Sequence, residues 1–300
     1  MVECWRTDQR RSQCNDVAGS IYVCPLCKAS LHGLRCLECA IEFDCDDGIP
    51  VFFTPEPTGN RYREIALFYD RLYETRRDVW KGEGHTAEFT HYVASLVEGC
   101  GPKRYLEVGC GEGFLLAAVS AYEKFGMDIS RKAIGRARGR TAANFCQGFV
   151  ERLPFSTGYF DVVANVGVME HFIDEVAATQ EIHRVLRSGG YYLVVLLVQT
   201  TLTERCMTKA REFLYPRFHP GHLVRWALAK CLSRDGENVS KDGSRQMAIQ
   251  PVQNHYTPRR ARSIFGRIGF RTTAVITKGH VPDAPLPGHY MRIYVLQKQG

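Results

Sequence analysis

"LEVGCGEGF", residues 106–114, joins two runs of different texture. Before it stands "RYLEVG", apolar and strand-like. After it stands "GFLLAAVSAY", apolar with helical spacing. Glu107, Gly109, Gly111 and Gly113 together spell E-x-G-x-G-x-G at the strand-to-helix turn. Glycines let such a turn close tightly and bring backbone amides against a ligand. The dinucleotide fingerprint is spaced differently, as G-x-G-x-x-G. The turn alone therefore specifies little, and its surroundings carry the rest.

Downstream, strands alternate with helices. "KFGMD" predicts a strand ending at Asp128, and "SRKAIGRARGRT" a helix that Ser130 can cap. "NFCQG" and "FDVVANVG" predict two more strands. "DEVAATQEIHRVLRSGG" predicts a helix ended by its glycines, and "YYLVVLLV" the next strand. This order predicts a parallel sheet covered on both faces. In such sheets a ligand lies outside the carboxyl ends of the strands. Near the end come a helix, "TPRRARSIFGRIGF", and two strands, "RTTAVITK" and "HYMRIYVLQK", suited to antiparallel pairing. Thr257 or Asn254 can cap that helix.

The glycine turn, Asp128, "ERLPF", "VMEHF" and "VLRSGG" as a set resemble the class I S-adenosylmethionine-dependent methyltransferases, in the branch that includes the ubiquinone and menaquinone enzymes. The resemblance covers about residues 101–200 and the late "HYTPRRARSIFGRIGF". It implies an α/β, Rossmann-like sheet flanked by helices and a methyl transfer from S-adenosylmethionine. It implies that the loop of Glu107, Gly109, Gly111 and Gly113 wraps the amino-acid end of that molecule, and that Asp128 holds its ribose. Phe149 and Val150 then lie beside the adenine, and Asn165 faces the sulfonium. The family's acid before "LPF" is missing, since Phe149 and Val150 stand there, so Glu151, a backbone carbonyl or water is left to meet the adenine amine. His171 is the first candidate for removing a proton from the acceptor. His219, His222, His255, Tyr256, His289 and Tyr290 are further polar groups near the mouth.

Earlier in the chain, Cys24-x-x-Cys27 and Cys36-x-x-Cys39 have the spacing of a four-thiolate zinc site. Iron–sulfur shares that spacing. The unit "YVCPLCKASLHGLRCLECAIEFDCDDGIPVFF" resembles the zinc ribbon of the tRNA-methyltransferase activator family and of ribosomal guanine N1-methyltransferases. About thirty residues bury too little surface to fold alone, so metal supplies the missing stability.

The expected organisation is therefore a flexible N-terminus (1–20), a zinc ribbon (21–53), a linker with N-terminal helices (54–100) and a methyltransferase domain (101–300). A cap insertion is expected at about 200–250. Its Phe213, Leu214, Leu223, Val224, Trp226 and Leu228 are interspersed with Arg211, Arg217, Arg225 and Lys230, a pattern that suits either a core-facing stripe or peripheral contact with an anionic membrane. Of the 300 residues 45% are hydrophobic and 24% charged, enough for one large core and a small satellite. The net charge of +7 suits an anionic partner without choosing one. The polar, basic start and the lack of a run of about twenty apolar residues predict a cytoplasmic chain without a membrane span. Its 12 cysteines are then expected as thiols or metal ligands. A small-molecule, lipid- or sugar-linked acceptor is the leading expectation. RNA is the second, and a non-catalytic adaptor the third.

Overall fold

The computed structural model describes residues 21–54, 61–75, 86–199, 251–252, 254–280 and 289–300. The expected flexible N-terminus and cap insertion, with His219 and His222, lie outside these residues.

One nine-stranded sheet organises the chain, in the order β10-β11-β9-β8-β5-β6-β7-β4-β3. Its centre is β5 (Arg104–Val108), β6 (Glu123–Asp128), β7 (Asn144–Gln147) and β8 (Phe160–Val166), all parallel. Tyr105, Leu106, Val108, Val162, Val163 and Ala164 are fully buried, as strands covered on both faces require. β5 pairs with β6 on one side and β8 on the other. The order of connection reverses there, which opens a crevice beyond their carboxyl ends.

The sheet is mixed at both margins. β9 (Leu186–Gln199) is parallel to β8, but β11 (His289–Lys298) and β10 (Phe270–His280) are antiparallel to their neighbours, as the two late strands predicted. At the opposite margin a hairpin of the cysteine unit, β3 (Asp44–Asp46) and β4 (Ile49–Val51), joins the sheet through β7. β1 (Arg35–Cys36) and β2 (Ile41–Glu42) form the unit's own small ladder.

Six helices accompany the strands among the described residues: α1 (Arg61–Thr75), α2 (Ala87–Glu98), α3 (Phe114–Ala118), α4 (Arg131–Arg138), α5 (Glu175–Val185) and α6 (Pro258–Ile268). Ser130 and Thr257 cap α4 and α6, accepting from the Ala133 and Arg260 amides. Two expectations are corrected. α3 is a short helix, and Val119 is already extended. α5 ends at Val185, where the Leu186 amide donates back to Ile182, and not at its glycines. Gly189 and Gly190 instead lie in β9, at the register shift opposite Phe160–Val162. β9 accordingly starts earlier than the apolar run "YYLVVLLV" suggested.

Candidate functional site

Glu107 stands on β5 just before the glycine turn and is 4% exposed. The Leu116 amide of α3 donates to its carboxylate, while burial pushes its pKa well up. Its Oε2 has no hydrogen-bond partner among the described residues. A buried acceptor without a donor is costly, and such an atom marks where a donor belongs.

The turn is tied to β6: the amides of Gly109 and Cys110 both donate to Met127 O, at 2.7 and 3.1 Å. Gly109, Gly111 and Gly113 all have positive φ. A Cβ on Gly113 would lie 2.9 Å from the Ala137 Cβ, and one on Gly109 2.5 Å from Val168 Cγ2. Asp128, at the end of β6, accepts from the Gly111 amide through Oδ2 and from the Ser130 amide through Oδ1, each at 2.8 Å. Burial raises its pKa to about 6 despite these donors, and the nearby Asp70 adds to the rise.

Helix α1 lies across this turn, and sequence reasoning missed its polar residues. Asp70 accepts from Ser130 Oγ at 2.6 Å and from the Lys132 amide at 3.0 Å. Arg136 joins Glu112 at 2.7 Å and also donates to Tyr73 O. The Tyr73 hydroxyl lies 3.1 Å from where a Gly111 Cβ would stand. Tyr69, whose pKa burial raises, feels both Asp128 and Glu170. Ile65, Phe68, Tyr69 and Leu72 have three-to-four spacing, which suits a helix, and nothing in that spacing tells which hydroxyls face the turn.

Phe149 and Val150 are both buried, at the end of the β7 loop. The Phe149 ring stacks on Phe53 at 4.8 Å and meets Tyr62 at 4.0 Å. An apolar, aromatic wall therefore stands where the family's acid was missing. Glu151 does not replace that acid: its Oε1 accepts from the Ile173 and Asp174 amides and fixes the turn before α5.

Asn165 closes β8, fully buried, and its Nδ2 donates to the Tyr192 hydroxyl at 2.7 Å. Its Oδ1 has no partner among the described residues. His171 is partly exposed and its Nδ1 contacts Val252 O at 2.8 Å. That bond assigns the proton to Nδ1 and leaves Nε2 as the acceptor. Burial lowers its pKa, which favours the neutral ring. Its neighbour Glu170 was also missed, in the shadow of the histidine. It is 6% exposed. The Leu197 amide donates to its Oε1 at 2.6 Å. Tyr256 is a core residue, donating to Glu175 Oε2 at 2.5 Å. His255 is exposed, and of His289 and Tyr290 only the backbone, in β11, is described.

In the cysteine unit the sulfurs of Cys24, Cys27, Cys36 and Cys39 all lie within 4.8 Å of one another. Cys24 and Cys39 are 3.9 Å apart, and Cys27 and Cys36 3.5 Å. A tetrahedral ion with bonds of about 2.3 Å sets its sulfurs about 3.8 Å apart, so the four fit zinc. The expectation that no cysteine is bridged is corrected at Cys45, which is disulfide-bonded. The unit is bound to the sheet's helices as well: Lys28 Nζ pairs with Glu181 of α5 at 2.6 Å. Among the described residues no helix is long and apolar enough to cross a membrane.

Residues 106–194 match the family described as "Methyltransferase domain". A protein of Mycolicibacterium smegmatis named as an S-adenosylmethionine-dependent methyltransferase is 36% identical over 148 residues, 48% of this chain and 55% of that protein. The tRNA (carboxymethyluridine(34)-5-O)-methyltransferase alkbh8 of Xenopus tropicalis is 28% identical over 169 residues, 52% of this chain and 26% of that protein. The chain thus spans about half, or less, of these curated relatives. A solved chain from the Haloferax volcanii complex of the Trm112 methyltransferase activator with its methyltransferase partner superposes with a TM-score of 0.53. It is 14% identical, and the match covers 80% of this chain and 98% of that one. That likeness concerns the fold. Crevice, glycine turn and comparisons agree that residues 106–194 are a methyltransferase domain of the class I, S-adenosylmethionine-dependent kind.

Proposed function

We propose that the chain is a methyltransferase acting on a small-molecule, lipid- or sugar-linked acceptor. S-adenosylmethionine supplies a methyl group on a positively charged sulfur. The observation that carries the reading is the pair of buried carboxylates, Glu107 with an unpartnered Oε2 and Asp128 at the neighbouring strand end, flanking one glycine turn. The turn of Gly109, Gly111 and Gly113 with Glu107 receives the amino-acid end, which brings ammonium donors. Asp128 receives the ribose hydroxyls. Phe149 and Val150 pack the adenine, and Asn165 offers its Oδ1 near the sulfonium. The work of these residues is positioning and the exclusion of water. His171 carries the acceptor's proton toward solvent through Nε2.

The unit of residues 21–53 serves as a zinc ribbon with Cys24, Cys27, Cys36 and Cys39 as ligands. The Ala29 amide lowers the pKa of the Cys27 thiol, while the neighbouring thiols raise that of Cys39, so binding the metal releases protons from the set. Residues 54–100 link the ribbon to a methyltransferase domain of 101–300, in which 200–250 forms the cap. Peripheral membrane contact through the cap is a further element of this reading.

RNA is the second reading, favoured by the similarity to a tRNA methyltransferase. Tritiated methyl transfer into a cell extract, divided into RNA, lipid and small-molecule fractions, decides between them. Label confined to RNA overturns the small-acceptor reading, and loss of RNA affinity with salt then supports phosphate contacts.

A further inference from the structure

Beyond the residues expected to hold the cofactor, one buried carboxylate has half its hydrogen-bonding capacity unused. Glu170 follows β8 in the turn Met169–His171 and is held from two sides. Its Oε1 accepts from Leu197 of β9, and its backbone carbonyl accepts from the Asn254 amide at 2.6 Å. Its Oε2 is buried with no partner among the described residues. Three tyrosines from three segments feel its charge: Tyr69 from α1, Tyr192 from β9 and Tyr256 from before α6. Tyr69 also feels Asp128, and Tyr192 holds Asn165, so Glu170 shares neighbours with two residues expected to meet the cofactor. His171 is its neighbour in the turn. No Lys or Arg pairs with it among the salt bridges of the described residues.

Resting on the methyltransferase reading, we infer that Glu170 Oε2 is the first proton acceptor for the methylated group, and that this group is a hydroxyl or N–H and not a carboxylate or phosphate. An anionic oxygen would meet an unpaired carboxylate there with no donor to offer. A hydroxyl or N–H supplies the donor that Oε2 lacks. In the transfer, the acceptor's oxygen or nitrogen forms a bond to the methyl carbon. The carbon–sulfur bond breaks with its electron pair leaving on sulfur, and the acceptor's hydrogen passes to Oε2 as a proton. The carboxylate becomes a neutral acid as the sulfonium becomes a neutral thioether, so the buried charges cancel together. Burial already raises the acid's pKa to about 7, near the value a general base needs.

The test uses the full chain and Glu170→Gln, which keeps an acceptor for the Leu197 amide. Calorimetry with S-adenosylhomocysteine is expected to give affinities within about twofold for both proteins. Tritiated methyl transfer into extract is expected to fall about 100-fold or more in the variant. The label in the wild-type product is expected to survive mild alkali, as ethers and methylamines do. Transfer by the variant within about threefold of wild type overturns the inference. So does label released by alkali as methanol, the mark of a carboxyl ester. If the variant does not fold, wild-type transfer at saturating S-adenosylmethionine against pH stands in. An acid limb bending near about 7 supports the inference, and a flat profile from about pH 6 to about pH 9 overturns it. Absence of heat with wild type sinks the methyltransferase reading itself, which separates the two failures.

Discussion

Val51 of the cysteine unit stands in parallel register with Gln147 of β7, and the Phe52 amide donates to the Gln147 carbonyl at 2.8 Å. The candidate metal site and the candidate cofactor crevice are therefore built on one sheet. Phe53 follows at once and stacks on Phe149. At the front of the unit, the Val23 amide donates to Pro154 O at 2.9 Å.

This continuity makes metal removal a test of both sites. A strong chelator, or Cys36→Ser, is expected to lower Tm by more than about 5 °C, since structural metal binding is folding free energy in so small a unit. It is also expected to weaken S-adenosylhomocysteine several-fold, because β4 and Phe53 lose their anchor. Scanning calorimetry and titration calorimetry read the two effects. Unchanged values for both would show the thiols to be metal-free and idle.

Asp128→Asn is expected to weaken S-adenosylmethionine binding about 10- to 100-fold, because the lost hydrogen bonds to ribose involve a charged acceptor, and to lower Tm, because its NH2 cannot accept from the Gly111 or Ser130 amide as the carboxylate does. The wild-type affinity is expected to fall as pH drops below about 6, where Asp128 takes up its proton.

Gly113→Ala tests the turn. Its φ of 75° is left-handed, and the added Cβ would press on Ala137 at 2.9 Å. A loss of about 1–3 kcal/mol in unfolding free energy is expected from denaturant titration. A neutral result would mean that α4 shifts freely away from the turn.

Stability should also respond to pH in a stated direction. Asp128 and Glu170 titrate at about 6 and about 7 in the folded chain, raised from 3.8 and 4.5 by burial. A carboxyl with a raised folded pKa contributes stability below its unfolded pKa and loses it as pH rises through the folded one. The unliganded protein is therefore expected to gain Tm between about pH 8 and about pH 5. Glu181 and Asp161, whose ion pairs lower their pKa, act oppositely in more acid solution, and His171 and His183, whose pKa burial lowers from 6.5, oppose part of the gain within this range. Glu170→Gln should flatten the gain. A pH dependence of Tm in Glu170→Gln equal to that of the wild type contradicts the Glu170 shift.

The central strands were legible because β5 to β8 are buried on both faces and so read as apolar runs between turn residues. The positions of Asp128 and Asn165 at the carboxyl ends of β6 and β8 were legible because each apolar run stops there. What escaped depends on tertiary packing. Tyr69 and Tyr73 carry the same helical spacing whether they face the core or the turn. Glu170 and His171 are adjacent in the sequence, and only burial shows that the carboxylate, not the imidazole, is the enclosed group. The ribbon's edge pairing through Val51 involves so few residues that no pattern announces it. The end of α5 misled because its glycines lie in a bulge of β9.

The central claim is that the turn of Glu107–Gly113 and the Asp128 carboxylate receive S-adenosylmethionine. Titration calorimetry of the full chain with S-adenosylhomocysteine, beside Asp128→Asn, tests it most directly. A saturable one-to-one isotherm in the wild type that weakens at least about tenfold in the variant is the predicted result. No heat in the wild type, or equal affinity in both proteins, would contradict it.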